Sequence, residues 1–324
     1  MAEVRFIRAI NQALSDAMEA DPSVILLGED IGAAGGSFKA TRGLLERFGP
    51  DRVYDTPISE AAITGMAVGA AMTGLKPILE IMFMDFVTLS MDMLVNQAAK
   101  ARSMFGGQCS VPMVLRMPHG GGLNAGPQHS QCLEAWFAHV PGLKVVCPST
   151  PADAYGLLRA AIADPDPVIF VENKALYALK GDLPDIPESA DIGVAQIVRP
   201  GEDVTVVAYG AAVAWAETAA ETMAGEGISV EILDLRSIQP WDEAAVLRSL
   251  AKTHNLVVAH EAVGPFGVGA EIVARVADIG FDDLDGPIVR VAAPFAPSPF
   301  GKSLEDAYRP TASDIVAAIR RSLS

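Results

Sequence analysis

The chain has 324 residues, of which half are hydrophobic and only 20% are charged. That length suggests about two domains, and the apolar content supplies buried cores, which excludes a disordered, collagen-like or coiled-coil protein. The net charge of −16 argues against nucleic-acid binding, because contact with phosphates needs clustered Lys and Arg.

No stretch of the sequence predicts a membrane span. The uncharged stretch 61–75 contains Gly and Thr and is shorter than the about 20 apolar residues that a span needs. The first residues resemble neither a signal peptide nor a transit peptide, and the spacing of Ile7, Ile10 and Leu14 predicts an amphipathic helix instead. The three cysteines include no CxxC pair, which favours reduced thiols over structural zinc. We therefore expect a cytoplasmic protein that binds neither nucleic acid nor a membrane.

Short apolar strands alternate with helices along the first half of the chain. The predicted strands lie at 24–27, 77–83, 111–117, 143–146 and 168–171. The predicted helices lie at 60–73, 86–104 and 151–163, and Thr150 is the expected N-cap of the last one. The alternation stops at residues 175–200, which carry Pro184 and Pro187 and are interpreted as a linker or docking arm.

The same alternation resumes in the second half. Strands are predicted at 204–209, 228–233, 256–259 and 288–291, and helices at 211–225, 242–253, 267–278 and 313–323. This pattern predicts an α/β protein with two parallel-sheet, helix-covered domains. We place the first domain at 1–178, the linker at 179–200 and the second domain at 201–324.

In parallel α/β sheets ligands bind beyond the carboxyl ends of the strands, and three segments of the first half are candidates for such a site. DTPISE at 55–60 puts Glu60 at the start of a helix of small residues, and EIMFMDF at 80–86 puts aromatic and thioether groups at a strand end. A glycine-rich loop at 118–130 carries His119 and His129 but matches neither a P-loop nor GxGxxG. The structural alternatives are a carboxylate that complements a helix dipole, core packing and a solvent loop. Because histidine titrates near neutrality, we interpret the loop as delivering one histidine to a site.

Five ordered motifs carry a family resemblance that runs nearly from end to end. They are GED at 28–30, DTPISE at 55–60, EIMFMDF at 80–86, GPQHSQ at 126–131 and HVPGLKVV at 139–146. The chain resembles the beta subunit of thiamine-diphosphate-dependent 2-oxo acid dehydrogenases, the decarboxylating component of the pyruvate, branched-chain and acetoin dehydrogenase complexes. The resemblance implies a transketolase-like pyrimidine-binding domain followed by a transketolase C-terminal domain.

The resemblance also implies a set of site residues. Glu60 and His129 match the catalytic positions: Glu60 activates the aminopyrimidine of the cofactor, and His129 faces the substrate carbonyl and the lipoyl group. The matching cofactor-binding residues are Glu29, Glu60, Met82 and Phe86. The positions that match a potassium site are Met113, Ala161, Ile162, Asp164 and Asp166, where Asp166 replaces the usual Asn.

The chain has no Gly-Asp-Gly segment, the motif with which this family holds magnesium and the diphosphate. The resemblance therefore implies an alpha subunit that holds magnesium, an alpha2beta2 heterotetramer and a dihydrolipoamide acyltransferase core as a further partner.

The first interpretation is a pyruvate dehydrogenase (acetyl-transferring) beta subunit, and the alternative is an acetoin dehydrogenase beta subunit, which shares Gln128 before His129. A branched-chain 2-oxo acid dehydrogenase, a transketolase-like transferase and a non-catalytic assembly subunit remain open. Branched-chain members tend to carry Tyr at the position of Gln128, and sugar phosphates need cationic recognition, whereas the loop of His129 holds no Lys or Arg.

Overall fold

A computed structural model of the chain describes residues 2–184 and 189–324. The strands are β1 Ala2–Arg5, β2 Val24–Gly28, β3 Val53–Asp55, β4 Lys76–Glu80, β5 Val114–His119, β6 Lys144–Val146, β7 Val168–Asn173, β8 Lys180–Leu183, β9 Gln196–Arg199, β10 Val204–Ala208, β11 Val230–Asp234, β12 Ser237–Gln239, β13 Leu256–Val263 and β14 Val289–Ala293. The helices are α1 Phe6–Ala20, α2 Leu44–Phe48, α3 Glu60–Met72, α4 Ala99–Met104, α5 Glu134–Ala138, α6 Pro151–Ala163, α7 Ala211–Ala224, α8 Glu243–Thr253, α9 Val268–Ile279, α10 Lys302–Tyr308 and α11 Ala312–Ser322.

The first compact unit contains the described residues of Met1–His119 and Trp136–Ile192. Within it the strands β6-β7-β5-β4-β2-β3 lie side by side in this order, and neighbouring strands run parallel. Strands β1 and β8 form a separate antiparallel pair. Helix α1 packs against α6, where the Tyr155 hydroxyl donates to Asp16 at 2.9 Å. Strands β2, β5 and β7 are buried on both faces, which explains their mostly apolar sequences.

The second compact unit contains Gly120–Ala135 and Gly193–Ser324. Its sheet has the order β14-β13-β10-β11-β9, in which β9 is an antiparallel edge strand and the other pairs are parallel. Helices α7 and α11 pack on this sheet. Their residues Ala216 and Ile319 form one hydrophobic core with Val206, Ile232 and Val257 of the strands. Two helix-covered and mostly parallel sheets confirm the predicted fold class. In the described part of the chain, no helix has the length and apolarity needed to cross a bilayer.

The predicted helix at 86–104 is helical over its whole length, but it is not one regular α-helix. The chain instead forms a 3-10 segment at Met84–Ser90, a wide π turn at Met93–Ala98 and then α4. Tertiary contacts accompany the change of winding: the Ser90 hydroxyl donates to the Glu60 carbonyl at 2.9 Å, and Met93 lies so close to Gly65 that a Cβ there would be 3.2 Å from the Met93 sulfur. These contacts override a local sequence pattern that favours one regular helix.

The predicted linker contains regular structure within its described part. Strand β8 pairs with β1, and β9 pairs with β11, although neither strand shows clear apolar alternation in sequence. Pro184 follows β8, whereas Pro187 lies outside the described residues. The predicted domain boundaries at 178 and 201 stay a prediction.

Candidate active site

The sheet of the first unit places Glu29 and Glu60 just beyond the carboxyl ends of the neighbouring strands β2 and β3. Gly28 ends β2 opposite Asp55, the last residue of β3, and the Thr56 amide donates to the Gly28 carbonyl at 2.9 Å. Glu29 follows β2 directly, and Glu60 begins α3 shortly after β3. Gly28 is required here, because a Cβ would lie 2.8 Å from the Glu80 carbonyl oxygen of the neighbouring strand. Both carboxyl groups therefore lie at the carboxyl ends of parallel strands, where ligands bind.

Glu29 and Glu60 form a buried acidic pair, with 4% and 6% of their surfaces exposed. Burial raises the pKa of Glu29, the negative charge of Glu60 raises it further, and the Ser59 backbone amide opposes both effects. Glu29 Oε1 is buried without a hydrogen-bond partner among the described residues. A buried, unpartnered oxygen of this kind is completed by a ligand or an ordered water.

Two buried hydroxyl groups hold the backbone of Glu60. The Thr64 hydroxyl donates to the Glu60 carbonyl at 2.7 Å, and the Ser90 hydroxyl donates to the same oxygen at 2.9 Å. The two hydroxyl oxygens lie 2.8 Å apart. Since both side chains are fully buried, the first turn of α3 is fixed to the segment that follows β4. Motif analysis did not identify this pair, because a hydroxyl that caps a distant carbonyl leaves no spacing signal.

The predicted aromatic wall lies just beyond β4. Met82 and Phe86 are half-buried, and the Phe86 ring meets the Phe83 ring edge to face at 5.7 Å. The ring centres of Phe83 and Phe38 lie 5.6 Å apart. The Lys174 ammonium lies 5.0 Å from the centre of the Phe83 ring. A partly exposed apolar surface of this kind fits a flat heteroaromatic ring. Whether Met82 and Phe86 contact a cofactor stays a prediction.

A fully buried charge cluster lies in the same sheet and was not predicted. Arg116 of β5 places Nη1 2.7 Å from Glu80 Oε2 and Nε 2.7 Å from Glu172 Oε1. The Tyr177 hydroxyl donates to Glu172 Oε2 at 2.8 Å. Burial raises the pKa of Glu172, and Arg116 lowers it. The sequence signal that could have predicted this cluster is the arginine inside the otherwise apolar strand VLRMPH. A buried arginine requires buried acidic partners on neighbouring strands.

The glycine-rich loop that carries His129 belongs to the second unit, whereas Glu29, Glu60, Met82 and Phe86 belong to the first. His129 is half-buried, and its backbone amide donates to the Gly126 carbonyl at 3.2 Å. Leu123, Asn124 and Gln128 of the loop are exposed, so the solvent-loop alternative and the delivery of a histidine to a site both stay predictions.

The positions that match a potassium site meet near the end of α6. The Ala161 carbonyl accepts the Asp164 amide at 3.3 Å, and the Met113 carbonyl accepts the Val168 amide at 3.0 Å. Ile162 is buried in the same turn of α6. The two acids, however, already have cationic partners, because Asp164 pairs with Lys144 and Asp166 pairs with Arg102. Potassium would therefore depend mainly on backbone carbonyls.

Comparison with known proteins agrees with this arrangement. Residues 2–180 match the family described as "Transketolase, pyrimidine binding domain", and residues 193–315 match "Transketolase, C-terminal domain". A solved structure described as "Split gene transketolase, inactive beta4 tetramer" superimposes with a TM-score of 0.80 at 23% identity, over 99% of this chain and 98% of that one. This likeness supports the fold.

Two curated relatives are similar over nearly their whole length. The chain is 46% identical to "Pyruvate dehydrogenase E1 component subunit beta-2, mitochondrial" of Oryza sativa subsp. japonica, over 99% of this chain and 86% of that protein. It is 48% identical to "Acetoin:2,6-dichlorophenolindophenol oxidoreductase subunit beta" of Cupriavidus necator, over 97% of this chain and 96% of that protein. The chain therefore belongs to the transketolase-like beta subunits of thiamine-diphosphate-dependent 2-oxo acid dehydrogenases, a family of oxidoreductase components.

Proposed function

We propose that this chain is the beta subunit of a dehydrogenase that decarboxylates pyruvate and transfers the acyl group to lipoyl groups of a dihydrolipoamide acyltransferase. The observation that carries the proposal is the buried Glu29–Glu60 pair, placed at the strand ends of a domain that matches the pyrimidine-binding family. Thiamine diphosphate, when bound, supplies a nucleophilic thiazolium carbon for cleavage of the bond beside a 2-oxo group.

The acidic pair suits a cofactor that carries a hydrogen-bonding heterocycle. Glu60 is proposed to exchange a proton with a ring nitrogen of the aminopyrimidine, because it is buried and its backbone is fixed by Thr64 and Ser90. Glu29 is proposed to accept a hydrogen bond at its unpartnered Oε1, beside Glu60. Met82 and Phe86 are proposed to line the ring.

His129 is proposed to act on the substrate side. Its imidazole has two ring nitrogens, so it can donate a proton to a carbonyl oxygen of the substrate and accept a proton from a lipoyl thiol. His129 is half-buried, which supports this role, since its ring stays accessible to a reactant.

The proposed holoenzyme contains an alpha subunit in an alpha2beta2 heterotetramer, and that subunit holds magnesium and the diphosphate. The support is the absence of a Gly-Asp-Gly segment from this sequence, together with relatives that are named as subunits beta. A cytoplasmic location also stays a prediction. Potassium is proposed only at the carbonyls of Met113, Ala161 and Ile162 and the carboxylate of Asp164, which it would share with Lys144.

Acetoin is the second candidate substrate. Acetoin oxidoreductase beta subunits of Cupriavidus necator and Bacillus subtilis are 48% and 47% identical to this chain, as similar as the pyruvate dehydrogenase relatives. Overall identity therefore does not separate the two substrates.

The deciding experiment reconstitutes this chain with its alpha subunit and compares kcat/KM for pyruvate, acetoin and branched 2-oxo acids. We expect the highest value with pyruvate, and the E60Q variant serves as the inactive control. A higher value with acetoin would transfer the assignment to the acetoin enzymes. No turnover of any of these substrates by an assembled complex that binds thiamine diphosphate would contradict both assignments.

A further inference from the structure

Two buried carboxylates of the second unit hold the backbone of the glycine-rich loop. Glu305 of α10 accepts the Gly122 amide at Oε1 at 3.0 Å and the Asn124 amide at Oε2 at 2.9 Å. Glu261 of β13 accepts the Gly121 amide at Oε1 at 2.8 Å. The two glutamates are only 1% and 7% exposed. Charge-assisted hydrogen bonds to buried carboxylates are strong, so the loop is fixed at the amides of Gly121, Gly122 and Asn124.

Arg309, which directly follows α10, compensates the buried charge. Its Nε lies 2.8 Å from Glu261 Oε1, and its guanidinium lies 5.7 Å from the centre of the Trp215 ring. The loop passes so close to this group that a Cβ at Gly122 would be 2.8 Å from Arg309 Nη1. Gly122 also has a φ of +96°, which only glycine adopts without strain. The backbone conformation therefore requires glycine at position 122.

The held segment leads directly to His129. Gly126 has a φ of +77° and lies against the Phe300 ring, and its carbonyl accepts the His129 amide. Beyond His129 the loop ends at Glu134, whose Oε1 accepts the Tyr209 hydroxyl at 2.8 Å. The loop is thus held on both sides of the histidine by contacts inside the second unit.

We propose that Glu305 is a positioning residue for His129, assisted by Glu261. This inference rests on the proposed function of His129. Glu305 touches neither reactant nor cofactor in this role. It fixes the loop backbone so that the imidazole is presented in one place during acyl transfer, which is the step that depends on orientation.

The test uses the reconstituted complex with Glu305→Gln. The glutamine amide keeps one acceptor oxygen and turns an N–H group toward a loop amide, so one of the two hydrogen bonds is lost. We expect acyl transfer to lipoyl groups to slow by about tenfold or more, whereas hydrogen–deuterium exchange at the thiazolium carbon, which reports on Glu60, stays unchanged. The amides of Gly122 and Asn124 should exchange faster with solvent, and those of β10 should not. Asp306→Asn, an exposed neighbour on α10, is the matched control.

A double variant separates positioning from a general structural effect. If Glu305 acts through His129, adding E305Q to H129A slows acyl transfer no further. If the two residues act independently, the fold-loss of the double variant is the product of the two single losses. Multiplicative losses, or normal transfer in E305Q, would overturn the inference while the role of His129 stands. Normal transfer in H129A alone would instead reject the proposed function of His129. If E305Q does not assemble, Gly122→Ala perturbs the same contact from the loop side and is judged by the same outcomes.

Discussion

Replacement of Arg116 by methionine tests the buried charge cluster of the first unit. Arg116 contacts Glu80 through one guanidinium nitrogen and Glu172 through two, and all three side chains are buried. Methionine fills similar space but leaves two carboxylates without their cation. Removing one partner of a buried ion pair costs about 3–5 kcal/mol. In a domain of this size each kcal/mol lowers the melting temperature by about 2–4 °C, so we expect a decrease of about 10 °C.

The stability lost in the R116M variant should depend on pH. Burial already raises the pKa of Glu172, and Arg116 opposes that effect, so the pKa rises further in R116M. Between the unfolded pKa and the raised folded pKa, the folded state keeps a proton that the unfolded state releases. Stability therefore falls as pH rises through this window. We expect the melting temperature of R116M to lie closer to that of the wild type at pH 5 than at pH 8.

Thermal melts of the full chain at the two pH values measure this effect, and Arg47→Met serves as control. Arg47 pairs with Glu19, both side chains are largely exposed, and its loss should cost no more than about 1 kcal/mol. Adding Glu172→Gln to R116M should restore part of the lost stability, because it removes one uncompensated charge. Equal melting temperatures of R116M and R47M, or a defect that is independent of pH, would refute the reasoning.

The remaining predictions concern the cofactor and the histidine. Glu60→Gln should slow hydrogen–deuterium exchange at the thiazolium carbon by orders of magnitude in the assembled complex, with the exposed Glu46→Gln as control, and an unchanged rate would remove Glu60 from its role. His129→Ala should keep that exchange but depress transfer to lipoyl groups; loss of exchange in an assembled variant would place His129 at a different step. Calorimetry of the isolated chain with magnesium and thiamine diphosphate should detect no micromolar binding, because the diphosphate motif is absent, and tight binding would contradict a site shared with an alpha subunit.

Sequence patterns identified the elements whose signals are local. The helix at 151–163 was predicted with its N-cap, and the Thr150 hydroxyl does accept the Asp153 amide at 3.1 Å. Strands β8 and β9 were missed, because partners distant in sequence, β1 and β11, make them strands. The helix at 86–104 was correct in extent, but its 3-10 and π segments were not predicted, because they form where Ser90 and Met93 contact α3, which is distant in sequence.

The same distinction applies to the site. Glu29 and Glu60 could be named from their motifs, but the raised pKa of Glu29 depends on burial and on its neighbour, which no motif reports. Glu80 lies inside the motif EIMFMDF, but its pairing with Arg116 could not be predicted, because Arg116 lies on another strand. Likewise, glycines identified the loop of His129, whereas the glutamates that hold it lie far along the chain.

The path of the chain has a consequence for dissecting the protein into fragments. The polypeptide passes between the two units after His119, after Ala135 and after Ile192, so residues 120–135 belong to the second unit although they interrupt the first. A cut within 179–200 would leave this loop on the N-terminal fragment and Glu261 and Glu305 on the C-terminal one. Order around His129 would then arise only when the two fragments associate, and it would depend on their concentration.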